Sequence, residues 1–375
     1  MERFAVIYRL SGSAQEVYDK AQDICLEQTV EFPGELLPPG LIQDHVVGRI
    51  EGLVPVGPSA YHATISFDLD TTANELTQLL NVVFGNISIK PGYRLEELRL
   101  PDSCLGRFRG PRFGRKGLRE WVQVEQRPLL FTALKPMGLS ARELADLAYR
   151  LALGGIDIIK DDHGLTDQVY APFHERVPLC AEAVERANQE TGQRSIYMAN
   201  VTAPYGQVLE RARFARKNGA RGLLVAPGLV GFDTMKTLAD DDRIGLPIIA
   251  HPAWLGSYVL SPEQGVSHYA LLGQITRLAG ADGSIYPNFG GRFSFSQEEC
   301  QRIVQGTQVA MGRIKPIFPC PGGGMSISTI PDMIRVYGCD VAFLVGGGLF
   351  KHGPDIIENC RYFRSLVDDM ESHWA

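Results

Sequence analysis

A few polar side chains in this chain close otherwise apolar runs, and these are the positions where chemistry is possible. Lys135 ends LLFTALK (129–135), while Lys160, Asp161, Asp162 and His163 end DIIKDDH (157–163). His251 falls in PIIAHP (247–252), and Tyr286 and Asn288 lie at the end of GSIYPN (283–288). Gly322, Gly323 and Gly324 follow KPIFPC (315–320), and Gly346, Gly347 and Gly348 follow VAFLV (341–345). Amines, carboxylates and imidazoles are the groups that move protons. Glycine turns let bare backbone amides close on a phosphate. Taken singly, each has a plainer explanation: a strand-end lysine is most often solvated, a lone histidine is a satisfied core group, and a glycine triplet is a tight turn. Together they fall on one rim if the apolar runs are parallel strands of a closed sheet, because β/α barrels carry their active sites at the C-terminal strand ends.

From Leu129 onward the sequence repeats one cadence: a short aliphatic run, a Gly/Pro/Asn break, then apolar residues at helical spacing. Eight such units are present, with strands at 129–135, 157–162, 195–201, 222–227, 247–252, 283–287, 315–320 and 341–346. Helices are expected at 140–153, 206–219 and 296–308, and Ser140 with Glu143 makes a capping box at the first of these. Strands apolar on both faces and alternating with helices require a parallel sheet, and eight units are what a TIM-type (β/α)8 barrel needs. A doubly wound open sheet is the structural alternative.

The first part of the chain has a different rhythm. Strands at 4–10, 45–56, 61–69 and 97–101 with helices at 14–28 and 73–84 read as β-α-β-β-α-β, a ferredoxin-like α+β domain. Thr72 and Glu75 suggest a second capping box. The division expected is a ferredoxin-like domain over 1–125 and a barrel over 126–375, with the Gly/Arg/Pro-rich stretch 102–117 as the connection.

Bulk composition narrows the function classes. The chain is 45% hydrophobic and 21% charged with a formal net charge of -6, so a basic nucleic-acid surface is not expected. Seven scattered cysteines without a C-x-x-C pair suggest neither a disulfide framework nor a zinc knuckle. No signal peptide or membrane span is evident, so a cytoplasmic location and a small-molecule partner are expected.

The segment GGIDIIKDDH (154–163) resembles the signature of the rubisco large-chain family. So do RPLLFTALKPMGLSARELA (127–145), FGN (84–86), GYRLEELRLP (92–101), IIAHPAWLG (248–256), PGGGMSISTIPDM (321–333) and FLVGGG (343–348). The resemblance covers nearly all of the barrel and the second half of the N-terminal domain. It implies that Lys160 takes up carbon dioxide as a carbamate and, with Asp162 and the residue at His163, holds Mg2+. It further implies Lys135 as proton carrier, His251, Arg292 and Asn86 as catalytic residues, and Gly322, Gly323, Gly324, Gly346 and Gly347 as the phosphate site. A carbamate is an anionic oxygen ligand suited to a hard cation, and such a cation stabilises an enediolate. Glu27, Gln28 and Thr29 fall where the family reaches into a neighbouring barrel, which implies a homodimer with active sites at the interface.

The departures from the family pattern set the expected function. His163 stands where the family has a glutamate, and imidazole suits Mn2+ better than Mg2+. Pro136 and Met137 follow Lys135, so the second lysine of true rubiscos is absent. Pro252 replaces a phosphate-binding arginine, and Arg292 stands in the loop where a carboxylase needs a lysine. Carboxylation is therefore not expected. A rubisco-like enzyme that enolises a phosphorylated keto sugar or keto acid is expected instead, of enolase, isomerase or decarboxylase type. The departures, with Arg292, Asn288 and His251 as polar donors, favour decarboxylation or hydrolysis of 3-oxo-isoapionate 4-phosphate. The alternatives are a 2,3-diketo-5-methylthiopentyl-1-phosphate enolase, a methylthioribulose-phosphate isomerase, a non-catalytic binding barrel, and a phosphate-binding barrel unrelated to rubisco.

Overall fold

The computed structural model describes residues 2–371. Its N-terminal part places β1 (Arg3–Ser11) between β3 (Ala60–Asp68) and β4 (Tyr93–Arg99), with β2 (Arg49–Gly57) outside β3, all antiparallel. Phe4, Val6, Tyr8 and Leu10 alternate along β1 on the face that packs under the helices Ala14–Glu27 and Leu76–Phe84. This is the expected ferredoxin-like arrangement. The helix start at Thr72 differs from expectation. Glu75 is the N-cap of Leu76–Phe84 and makes no side-chain cap bond, while Thr72 closes a preceding 3-10 turn by donating to the Leu69 carbonyl. An intervening left-handed Ala73 breaks the register that a capping box needs. The Ser140–Glu143 box is present, and Ser13–Glu16 and Ser296–Glu299 form two more.

Eight parallel strands follow: β5 (Leu129–Ala133), β6 (Ile158–Lys160), β7 (Ile196–Asn200), β8 (Gly222–Val225), β9 (Ile248–Ala250), β11 (Gly283–Pro287), β12 (Phe318–Gly322) and β13 (Ala342–Leu344). They pair in chain order from β5 to β12, and β13 pairs with β5. The ring closes where β12 meets β13: a Cβ on Gly322 would lie 2.9 Å from Leu344, so glycine is what lets these strands approach. Between β9 and β11 a two-residue strand, β10 (Gly265–Val266), leaves the barrel and adds in parallel to β4, tying the two sheets together.

Because strand side chains alternate, one phase of each strand fills the barrel and the other packs under the helices. Phe131, Ile158, Met198, Leu224, Ile249, Ile285, Phe318 and Ala342 form the inner cluster. Leu118 and Val122 of the helix Gly114–Val122 plug its lower end, so part of the stretch read as a connection is a floor for the barrel. Asp282 fixes that floor by accepting bonds from the Phe113, Gly114 and Ile248 amides.

At the same end, the buried Asp157 carboxylate accepts from both Arg127 terminal nitrogens and from the Leu130 amide, each at 2.7 Å. Removing the carboxylate breaks this buried pair and leaves the Leu130 amide without its acceptor, while Arg127 Nε keeps Asp368 at 3.1 Å. Asp157→Ala is expected to destabilise the fold by about 3–5 kcal/mol. Chemical denaturation followed by circular dichroism checks this, and a loss under about 1 kcal/mol, the usual size of an exposed pair, contradicts it.

Candidate active site

The inner phase that builds the core also places the polar groups at the mouth. Two residues beyond Ala133 is Lys135, two beyond Ile158 is Lys160, two beyond Ile249 is His251, and two beyond Leu344 is Gly346. Lys160 is only 2% exposed, and its ammonium donates to the Asp161 carbonyl at 3.1 Å. Burial, with Lys135 adding repulsion and Asp162 and Asp161 opposing, pushes its amine down to about 8. The neutral form is thereby brought within reach of ordinary pH.

Asp162 also faces the mouth. Its Oδ1 accepts from the Gly164 amide at 2.9 Å, and the Lys135 ammonium lies against Oδ2 as an ion pair. Among the described residues, no hydrogen bond of good geometry reaches that buried Oδ2. Burial alone would raise this carboxyl, but Lys135, the Gly164 amide and Lys160 outweigh it and hold Asp162 below its ordinary value.

The two histidines lie face to face. His163 and His251 stack with centroids 4.2 Å apart and planes 10° from parallel, and His163 Nδ1 is 3.4 Å from Asp162 Oδ1. Burial, then the Lys160 charge and His163, depress His251 far below the imidazole range. His163 is lowered too, by burial first and then by Lys160, Lys135 and Arg292 against the pull of Asp162. The Ala253 amide donates to His251 Nδ1 at 3.1 Å, so the neutral ring carries its proton on Nε2.

Arg292 is exposed, with its guanidinium 5.0 Å from the centroid of the Phe293 ring, and its charge is felt at His163. The loop that carries it rests on the glycine turn after β12. A Cβ on Gly323 would strike Phe293 at 2.8 Å and one on Gly324 would strike the Arg292 amide at 2.8 Å, both at positive φ. Gly346 lies beside the Lys135 stem, and the Cβ position of Gly347 opens on empty space.

Four expected residues stand elsewhere. Tyr286 and Asn288 are buried in the helix-facing phase of β11, one step out of register with Ile285; Asn288 accepts from Tyr337 at 2.6 Å and contacts the Met333 sulfur. Neither faces the mouth, which corrects the use of Asn288 as a substrate donor. Gln28 points inward as well, donating to the Asn81 and Val82 carbonyls and accepting from the Ile87 amide. Asn86 donates to Glu27 within the N-terminal part, apart from the barrel cluster of its own chain.

The profile of the ribulose bisphosphate carboxylase large chain catalytic domain matches residues 115–358. The chain belongs to the rubisco large-chain family. It is 36% identical to the 5-methylthioribulose-1-phosphate isomerase of Rhodospirillum rubrum, over 98% of this chain and 96% of that one. It is 33% identical to the 2,3-diketo-5-methylthiopentyl-1-phosphate enolase of Bacillus pumilus, over 94% and 89%. The crystal structure of a rubisco-like protein from Rhodopseudomonas palustris superposes with a TM-score of 0.89 at 34% identity, covering 98% of both chains.

Within this rubisco-family site, no group of three or more His, Cys, Asp and Glu side chains among the described residues could hold a metal ion. Asp162 and His163 are short of a third ligand, and a carbamate on Lys160 would supply it. The donor set fits a divalent cation on those terms, since among the described residues the buried Asp162 Oδ2 meets only an ammonium. Sequence reasoning passed over Asn200, the inner-phase residue two beyond Met198, although the strand-end rule applies to it as to Lys160.

Only the neutral amine adds to carbon dioxide. In the absence of carbon dioxide the Lys160 amine is therefore expected to titrate with a midpoint near 8, measured by 13C NMR of protein carrying labelled lysine ε-carbons. A midpoint near the ordinary lysine value of 10.5 contradicts the burial argument.

Proposed function

We propose that this chain catalyses metal-assisted proton transfer, enolisation or isomerisation, on a phosphorylated methylthio sugar or diketone. The observation that carries this is the buried Lys160 amine set beside Asp162, with Lys135 reaching the same carboxylate from β5. Lys160 as carbamate, Asp162 and His163 would hold Mg2+ or Mn2+. When bound, the cation would polarise the substrate carbonyl and stabilise the enediolate. Lys135 shuttles the proton between substrate carbons. His251, with its proton on Nε2, donates to a substrate oxygen. The turns at Gly322–Gly324 and Gly346–Gly347 receive the phosphate through backbone amides.

The loss of Asn288 from the mouth weakens the preference for a sugar acid such as 3-oxo-isoapionate 4-phosphate. Met137, Trp254 and Phe293, on the loops after β5, β9 and β11, are 39%, 73% and 47% exposed and suit a thioether tail. The names of the isomerase and enolase relatives support the same reading. Carboxylation does not fit, because Arg292 cannot give up its charge or match the reach of a lysine.

With bicarbonate and Mg2+ or Mn2+, the protein is expected to turn over 5-methylthioribulose 1-phosphate or 2,3-diketo-5-methylthiopentyl 1-phosphate. Deuterium from solvent should enter the product, and Lys160→Ala should lower that exchange by at least about 100-fold. Exclusive decarboxylation of 3-oxo-isoapionate 4-phosphate, or equal exchange by Lys160→Ala, sinks the proposal.

The proposal includes a homodimer in which Asn86 and Glu27 complete the partner's barrel mouth. Phe32, Leu36, Leu41 and Ile89 near these residues are exposed, as are Tyr170, Tyr205 and Trp254 on the rim, and apolar surface of this kind is ordinarily covered. Mixing inactive Lys160→Ala and Asn86→Ala chains should restore activity through hybrid dimers. A mixture as inactive as its parents contradicts the shared site.

A further inference from the structure

We infer that Asn200 is a positioning residue that sets the direction of the Asp162 carboxylate through the backbone of the loop after β6. The inference rests on the metal reading proposed above. Asn200 is 1% exposed, and its side-chain amide donates to both the His163 and Leu165 carbonyls at 2.9 Å. Its Oδ1 accepts from the Thr202 amide at 3.1 Å, and its own amide donates to Asp161 Oδ2 at 3.0 Å. Both side-chain donors and the acceptor are therefore engaged. Aspartate lacks the donors, and glutamine is one methylene too long for the same span. A single residue of the neighbouring strand thus grips the motif on both sides of Asp162.

The opposite phase completes the hold. Asp161 turns toward the helices and accepts from the Tyr197 hydroxyl at 2.8 Å and Arg176 Nε at 3.3 Å. Arg176, itself buried, also donates to the Thr166 and Ala171 carbonyls farther along the loop. With Asp161 pinned below and residues 163 and 165 pinned from the side, the turn that lets the Gly164 amide bond Asp162 Oδ1 has one arrangement. Oδ2 is left aimed at the mouth, where, among the described residues, the Lys135 ammonium meets it. These groups face the loop backbone and Asp161, so they act through the ligand's orientation, as outer partners of metal ligands do.

Mn2+ binding followed by electron paramagnetic resonance in bicarbonate buffer tests this without reference to turnover. Asn200→Ser, small enough to admit a water, is expected to weaken Mn2+ binding by about 10- to 100-fold. Tyr197→Phe, which removes one bond to Asp161, is expected to weaken it by roughly fivefold. Both should keep the far-ultraviolet dichroism of the unaltered protein. A folded Asn200→Ser that binds Mn2+ as tightly as the unaltered chain overturns the inference. Tyr197→Phe decides in the same way if Asn200→Ser does not fold. Failure of the unaltered chain to bind Mn2+ overturns the metal reading itself, and the inference with it.

Discussion

Side chains alternate along a β-strand, and in a closed barrel that alternation leaves each strand one inward phase. Everything at the mouth of this protein depends on that phase. The residues that fill the interior, among them Phe131, Ile158, Met198, Ile249 and Leu344, are followed two positions later by Ala133, Lys160, Asn200, His251 and Gly346. A one-residue slip in β6 would turn Lys160 toward the helices and bring Asp161 inward, exchanging a reactive amine for a structural carboxylate. The packed core is therefore what keeps the chemistry in register.

The site built on this phase sets its charged and neutral groups by burial and pairing. Burial disfavours the charge on Lys160, His163 and His251 alike, while Asp162 stays ionised beside Lys135. An amine eased toward neutrality, two imidazoles that resist protonation and an ionised carboxylate form a set of ligands and hydrogen-bond donors around the Lys135 ammonium. That arrangement suits the proton transfer proposed above. The loop bearing Arg292 packs through Phe293 on Gly323, so the turn beneath it positions that loop as well as offering amides to phosphate.

Much of this was legible in the sequence, and the failures have physical causes. The eight units, the ferredoxin-like order and the cluster of Lys135, Lys160, Asp162, His163 and His251 follow from apolar runs and their polar ends. Tyr286 and Asn288 were misread because a strand end was treated as a point: both lie buried in the phase opposite Ile285, where Asn288 meets Tyr337 and Met333, which only three-dimensional packing reveals. Gln28 was assigned outward by likeness, yet three hydrogen bonds draw it inward. Asn200 was missed because its amide serves the carbonyls of another strand's loop, and the composition of β7 carries no sign of that debt. The Thr72 start failed over two left-handed residues, Ala73 and Asn74.

The central claim is that the Lys160 amine becomes an anionic ligand and draws a divalent ion to Asp162. A crystal structure determined with bicarbonate and Mg2+ tests it most directly. Continuous density beyond Lys160 Nζ, an ion shared with Asp162, and Lys135 displaced from that carboxylate is the predicted result. A bare Lys160 amine, with Lys135 still paired to Asp162 and no ion between them, would contradict it.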